Sequence, residues 1–283
     1  MNEKNLNRMK IHYMWRGHPL NLKELRSLSS ELEKCGYYSV LLTFHSKSAD
    51  YLIKSAAALI PGDRLKYMIA LRPYHISPQY CAMLTEGYNQ VDRERLIFNW
   101  VAGNFDNRAD EPYQVDVFGS SEHIDSIVKR TTFLRNFIGQ YNSYKFVSTK
   151  PEMVFSGFSE YTLETAKIFN GTSLCMIDDY RNNIKRFDGI VNRMVCVNPI
   201  VLKSEEVEDY KQKILSINPR SIHTTIVGDK ETVMKKLVEL KNEGITDILL
   251  DTNLPGMLNG ISRNNDILVN ELVKEISDEA EKK

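Results

Sequence analysis

Short apolar runs recur along the whole chain, and nearly every one is followed within a few residues by a segment whose apolar positions repeat at helical spacing. Residues 11–15, 38–44, 65–71, 95–102, 152–156, 172–177, 193–202, 222–227 and 245–250 have the length and composition of strands. Helices are expected between them, at 49–60, 78–91, 121–139, 159–169, 204–215 and 230–243, with a closing helix from about 264. The segment after the first strand carries Leu22, Leu25, Leu28 and Leu32 on one face, with Asn21 as its cap and Gly36 just past its end. Connections this short favour parallel strands joined by right-handed crossovers. Eight or nine strands alternating with helices throughout is the pattern of a closed (β/α)8 barrel more than of an open doubly wound sheet. The whole of 1–283 reads as one such domain.

The run Leu65 to Leu71 is apolar apart from Lys66. A strand so continuously apolar has both faces covered, as in a parallel sheet wrapped by helices. Its carboxyl end delivers Arg72, Tyr74 and His75 to the face where such folds keep their chemistry; the plainer alternative is a core strand with an ordinary polar exit loop. An internal echo links residues 32–42 with 240–250, which share the order helix, glycine, strand. In a barrel these two units are neighbours or near-neighbours.

Composition narrows the function classes. The 37 basic residues are matched by 37 acidic ones, and no long block of like charge occurs, so no face is suited to neutralising nucleic-acid phosphates. The four cysteines lack Cys-x-x-Cys spacing, which disfavours both metal ligation and a disulfide framework and suits a reducing cytoplasm. No apolar run approaches the ~20 residues that span a bilayer, and the first residues have no signal-peptide core. The expectation is a soluble cytoplasmic protein.

In a barrel the residues just past each strand form the site. These include Trp15, Arg16 and His18; Thr43, His45 and Ser48; Arg72, Tyr74 and His75; Ser156, Gly157 and Ser159; Asp178 and Asp179; Asn198; and Asp251 to Asn253. The histidines do not fall in a zinc pattern, and no Gly-x-Ser-x-Gly, Gly-x-Gly-x-x-Gly or Walker-type loop occurs, so no metal is expected. Ser156-Gly-Phe-Ser159 is the better phosphate candidate. It leaves a strand, contains a glycine that lets backbone amides approach a ligand, and opens a helix whose positive end attracts anions. The same residues also suit Ser159 as a simple helix cap.

With the strands placed, the chain resembles the bacterial luciferase-like flavin monooxygenases, and within them the alkanesulfonate monooxygenase branch. The carrying segments are Gly36-Tyr-Tyr-Ser-Val-Leu-Leu42, Ala57-Ala-Leu-Ile-Pro61, Arg64-Leu-Lys-Tyr-Met-Ile-Ala-Leu-Arg-Pro73 with Ser77-Pro78, Leu96-Ile-Phe-Asn-Trp-Val-Ala-Gly103, and Ile226-Val-Gly-Asp229 leading to Gly244-Ile-Thr-Asp-Ile-Leu. They occur in order and cover most of the barrel. The resemblance implies a (β/α)8 barrel that takes reduced FMN (FMNH2) from a separate flavin reductase. It further implies a flavin C4a-peroxide formed with O2, oxygenation of a small organic substrate, and, by analogy, a homodimer.

Residue by residue, the resemblance places the flavin phosphate near Ser159, Gly157 and Ser120, and the ring over Thr43, Arg72 and Asn99. His18, Ser48, Asn198 and Arg220 line the substrate side, where His18 handles a proton, and Arg72 and Arg220 suit an anionic group. There are departures. Ser120 and Ile124 replace a histidine and a tyrosine that hold the flavin phosphate. Ser48 replaces an active-site cysteine, Asn198 a strand histidine, Cys196 the arginine before it, Met176 a pocket tryptophan and Asn253 a late tyrosine. The lid expected between 215 and 222 is nearly absent, with Arg220 in the place of its arginine. Two other readings stay open: a non-catalytic flavin-binding barrel, and a deazaflavin (F420)-dependent oxidoreductase of the same fold.

Overall fold

The computed structural model describes residues 9–15, 19–43, 51–60, 62–102, 127–217, 221–252 and 262–281. Nine parallel strands are present among them: β1 (Lys10–Trp15), β2 (Ser39–Leu42), β3 (Lys66–Leu71), β4 (Leu96–Val101), β5 (Glu152–Ser156), β6 (Thr172–Met176), β7 (Arg193–Val201), β8 (Thr225–Gly228) and β9 (Asp247–Leu250). The pairing order β6-β5-β4-β3-β2-β1-β9-β7 returns on itself through β6–β7, which closes an eight-stranded barrel. The ninth strand, β8, pairs only with Asn198–Val201, the outer half of β7, and stands outside the ring. The echoed units carry β2 and β9, and these flank β1 on its two sides.

Helices wrap the wall: α1 (Leu22–Lys34), α2 (Tyr51–Ala58), α3 (Pro78–Val91), α4 (Ile127–Ser143), α5 (Glu160–Ile168), α6 (Ile177–Asn182), α7 (Val207–Ile217), α8 (Ser221–Thr224), α9 (Lys230–Glu239) and α10 (Ser262–Glu281). Local chemistry sets their ends. Asn21 and Glu24 form a capping box at the start of α1, Ser77 caps α3 with Pro78 in its first turn, and Asp229 caps α9. Gly36 and Gly244 sit at φ of 79° and 82°, left-handed conformations that let the chain leave a helix and enter β2 and β9. Helix α4 runs past Gly139 to Ser143, farther than expected, because Tyr141 is fully buried with its ring 5.9 Å from Phe98. None of the described helices is long and apolar enough to cross a membrane.

Strand alternation divides the core into two parts. Tyr67, Ile69, Phe98 and Trp100 point out and pack with Phe137 and Tyr141 under the helices. Met14, Leu41, Met68, Ile97, Val154, Leu174, Met194 and Leu249 point in and fill the lumen. Both faces of β3 are therefore covered, as its apolar run requires.

The N-terminal end of the barrel is closed by polar groups. Glu152 accepts from Lys10 Nζ at 3.1 Å and from Lys66 Nζ at 2.5 Å, and it also accepts from Tyr38 Oη. Both ammonium groups lie over the Tyr38 ring, at 4.3 and 4.9 Å from its centroid. One layer further in, His12 Nε2 lies 3.0 Å from Asp247 Oδ1 and His12 Nδ1 2.7 Å from Ser39 Oγ. Serine, histidine and aspartate here match a hydrolytic triad in composition, yet all three are buried at the end of the barrel that serves stability.

Burial works to raise the Glu152 carboxyl, but Lys10, Lys66 and the hydrogen bonds from Lys66 and Tyr38 outweigh it and hold the group down at about 2, from an ordinary 4.5. Stability from this carboxylate is thus present above pH 4.5 and lost as pH falls toward 2. Glu152→Ala should destabilise the barrel by about 1 kcal/mol at neutral pH, a modest figure because the cluster is partly open to solvent. Melting curves of the two proteins should converge on acidification; a gap independent of pH would remove the carboxylate as its cause.

Candidate functional site

The C-terminal ends of the strands gather the polar residues that the lumen excludes. Thr43 follows β2 and donates through Oγ1 to the carbonyl of Trp15 at 3.1 Å, tying the ends of β1 and β2 together. Asn99, on the lumen side of β4 and only 3% exposed, accepts from Ser156 Oγ at 2.7 Å. Arg72 leaves β3 and donates from Nη1 to Tyr74 Oη at 3.3 Å, and the Tyr74 ring meets His75 edge-on with centroids 4.8 Å apart. Burial, reinforced by the Arg72 charge, lowers His75 to about 4, so its imidazole is neutral at physiological pH.

The turn after β5 has its own geometry. Gly157 takes φ of 128°, outside the range of an L side chain, and donates its N–H to the Leu174 carbonyl at 2.8 Å. Ser159 caps α5: its Oγ accepts from the Thr162 N–H at 3.2 Å and lies 2.8 Å from Thr162 Oγ1. The Leu163 N–H goes to the Ser159 carbonyl. The N–H groups of Glu160 and Tyr161 meet no acceptor among the described residues, so this helix start keeps two free donors at its positive end.

Of the residues singled out from the sequence, Thr43, Arg72, Asn99, Gly157, Ser159 and Asn198 all stand toward the C-terminal ends of their strands. Asn99 is linked to the β5 end through Ser156, while Gly157 and Ser159 share one turn. His18, Ser48, Ser120 and Arg220, with Ile124 and Asn253, lie outside the described residues. A cleft of about 430 Å³ was not anticipated. It opens between the turn that carries Tyr74 and His75 and the Phe133, Asn136, Phe137 and Gln140 side of α4. No local pattern announces it, because it exists only once α4 packs beside the β3–α3 connection.

No family model matches the chain. Among solved structures, the oxygenating constituent of 3,6-diketocamphane monooxygenase from Pseudomonas putida, in complex with FMN, superposes with a TM-score of 0.67 at 12% identity, covering 96% of this chain and 98% of that one. The coenzyme F420-dependent tetrahydromethanopterin reductase from Methanopyrus kandleri gives 0.67 at 13% identity over 95% and 98%. An F420-dependent secondary alcohol dehydrogenase bound to an F420-acetone adduct gives 0.65 at 15% identity over 95% and 98%. These chains are matched nearly end to end at low identity, so the likeness is one of architecture, and that architecture is the luciferase-like (β/α)8 barrel.

Proposed function

We propose that the protein is a flavin-dependent oxidoreductase acting on a small organic substrate. Within that class we read it as a monooxygenase that receives FMNH2 from a separate reductase, with its segments nearest the alkanesulfonate monooxygenase branch. The observation that carries this reading is the β5–α5 turn, where a left-handed glycine precedes a helix start whose first-turn amides meet no acceptor among the described residues, an arrangement suited to an anion such as a phosphate. FMN in one similar structure, an F420-acetone adduct in another and the F420 dependence of a third support a flavin-type ligand.

The residues present fit the group. The Glu160 and Tyr161 amides would hold its phosphate, and Thr43, Arg72 and Asn99 would meet the polar edge of its ring. A bound reduced flavin supplies the electrons that activate oxygen. The chain's own part is to orient that ring over the Met68 and Ile97 layer, keep bulk water from it, and present substrate from the side of Asn198. His18, Ser48 and Arg220 keep the substrate-side roles that the resemblance implies, and Ser120 its place near the phosphate.

We further assign a homodimer to the outer face of α2 and α3. Their exposed positions are Ile53 and Ala57 on α2, followed by Ile60, and Gln79, Tyr80, Met83, Gly87, Gln90 and Val91 on α3. None is charged, in a chain of which 26% is charged. Depletion of charge with exposed aromatic and methionine side chains is the composition of an interface core.

Three measurements test these statements. Anaerobic titration with FMNH2, followed by rapid mixing with O2, should show binding and a reoxidation rate that differs from free FMNH2. Tight binding of oxidised FMN without any effect on the oxygen reaction would favour a flavin carrier, and binding of F420 in place of FMN would favour hydride transfer. Ser159→Asp retains a good helix cap and should leave the melting temperature nearly unchanged, while charge repulsion weakens FMN binding by about tenfold or more. Unaltered affinity would take Ser159 out of the site. Met83→Glu should convert the dimer to a monomer in light scattering, with an unchanged circular dichroism spectrum.

A further inference from the structure

We infer that Ser156 is a positioning residue: its hydroxyl fixes the Asn99 amide so that the barrel mouth presents an N–H donor, and the ligand edge that meets it is a hydrogen-bond acceptor. This deepens the reading of Asn99 as a contact to the polar edge of a flavin ring and rests on it. The lumen face of the sheet supplies the arrangement. Along β4, Ile97 points in while Phe98 and Trp100 point out, so Asn99 points in, one layer above Ile97. Along β5, Val154 points in and Ser156 stands one layer above it. Register pairs Asn99 with Val154 and Ser156 with Val101, so the Ser156 side chain reaches Asn99 diagonally across the two strands. There its Oγ donates to Asn99 Oδ1 at 2.7 Å.

An asparagine amide carries its acceptor on one atom and its donors on the other. With Oδ1 taken by the Ser156 hydroxyl, Nδ2, which meets no acceptor among the described residues, is the atom left for a ligand. Turning the amide over would set Nδ2 against Ser156 Oγ and leave the serine proton without an acceptor among the described residues, while Oδ1 faced the mouth. The hydroxyl thus decides whether the site reads an acceptor or a donor. The β3 side of Asn99 supplies a second observation. Its register partner there is Ala70, the smallest of the lumen residues Lys66, Met68 and Ala70 on that strand. Ala70 and Ser156 are only half-buried, so the 3%-exposed amide is flanked on both sides by positions open toward the mouth. Arg72 keeps an extended backbone at φ −111° and ψ 126°, which continues the face of Met68 and Ala70. A guanidinium has donors and no acceptor. Donors on two adjacent strands match an edge of carbonyl oxygens, and an edge made of N–H groups would leave both unmet.

The test uses the full-length protein and compares FMN with its analogues in which sulfur replaces the ring oxygen at C2 or at C4, sulfur being a weak acceptor. The unaltered protein should bind FMN about fivefold or more tighter than at least one analogue. Ser156→Ala should erase that preference, and Ser156→Thr, which keeps the hydroxyl, should retain it, with melting curves confirming that both variants are folded. Without any ligand, the side-chain amide signals of Asn99 in ¹⁵N-labelled protein, identified by their loss in Asn99→Ala, should move in Ser156→Ala and stay near their original positions in Ser156→Thr. Equal binding of all three flavins overturns the inference, as does a preference that persists in Ser156→Ala, since size alone would then explain it. Amide signals that Ser156→Ala leaves in place overturn it too. If the unaltered protein binds no FMN, the flavin reading falls, while displaced amide signals still uphold the hold of Ser156 on Asn99; FMN binding without the preference does the reverse.

Discussion

Closure of the barrel depends on β7. Its first half is hydrogen-bonded on one edge to β6 and on the other to β9, and its second half to β8. Only because both edges of that first half are occupied does the sheet meet itself, and only then do alternate residues of eight strands face a common interior. Met68, Ile97, Val154 and Leu249 become one packed layer by that geometry, not by any contact between sequence neighbours. The same closure lifts Arg72, Asn99, Asn198 and Asp251 to a single mouth. An open sheet with identical local structure would scatter them along an edge.

The two ends of this cylinder are built from similar chemistry to opposite purpose. At the N-terminal end nearly every polar atom is matched: Glu152 serves two lysines and a tyrosine, and His12 uses both ring nitrogens. At the other end, an acceptor on Asn198 and amides at the start of α5 have no partner among the described residues. Saturated networks hold a fold in one arrangement, while unsatisfied ones are places where a ligand completes the structure.

Much of this was legible in the sequence. Lys66 to Leu71 announces a strand covered on both faces, and the glycines at 36 and 244 announce the same helix-to-strand turn at two points that the barrel brings to either side of β1. Ser159 carried two meanings from the start, and the structure gives it the cap while leaving the neighbouring amides open. Other features were closed to a linear reading. The end of α4 depends on Tyr141 finding Phe98, and the network around Glu152 joins residues from four separated strands or strand entries. The row of Met176, Cys196 and Leu249 exists only through register, which no local pattern of a single strand encodes.

The position of β8 has a consequence for how the chain tolerates change. Since it hangs from the outer half of β7, the described residues between Val201 and Gly228 add no strand to the eight-membered wall. New sequence spliced into that excursion, whether a longer flap over the mouth or an entire tethered module, would burden no strand of the cylinder. Such a barrel can acquire or shed a cover as an accessory, independently of what keeps it folded.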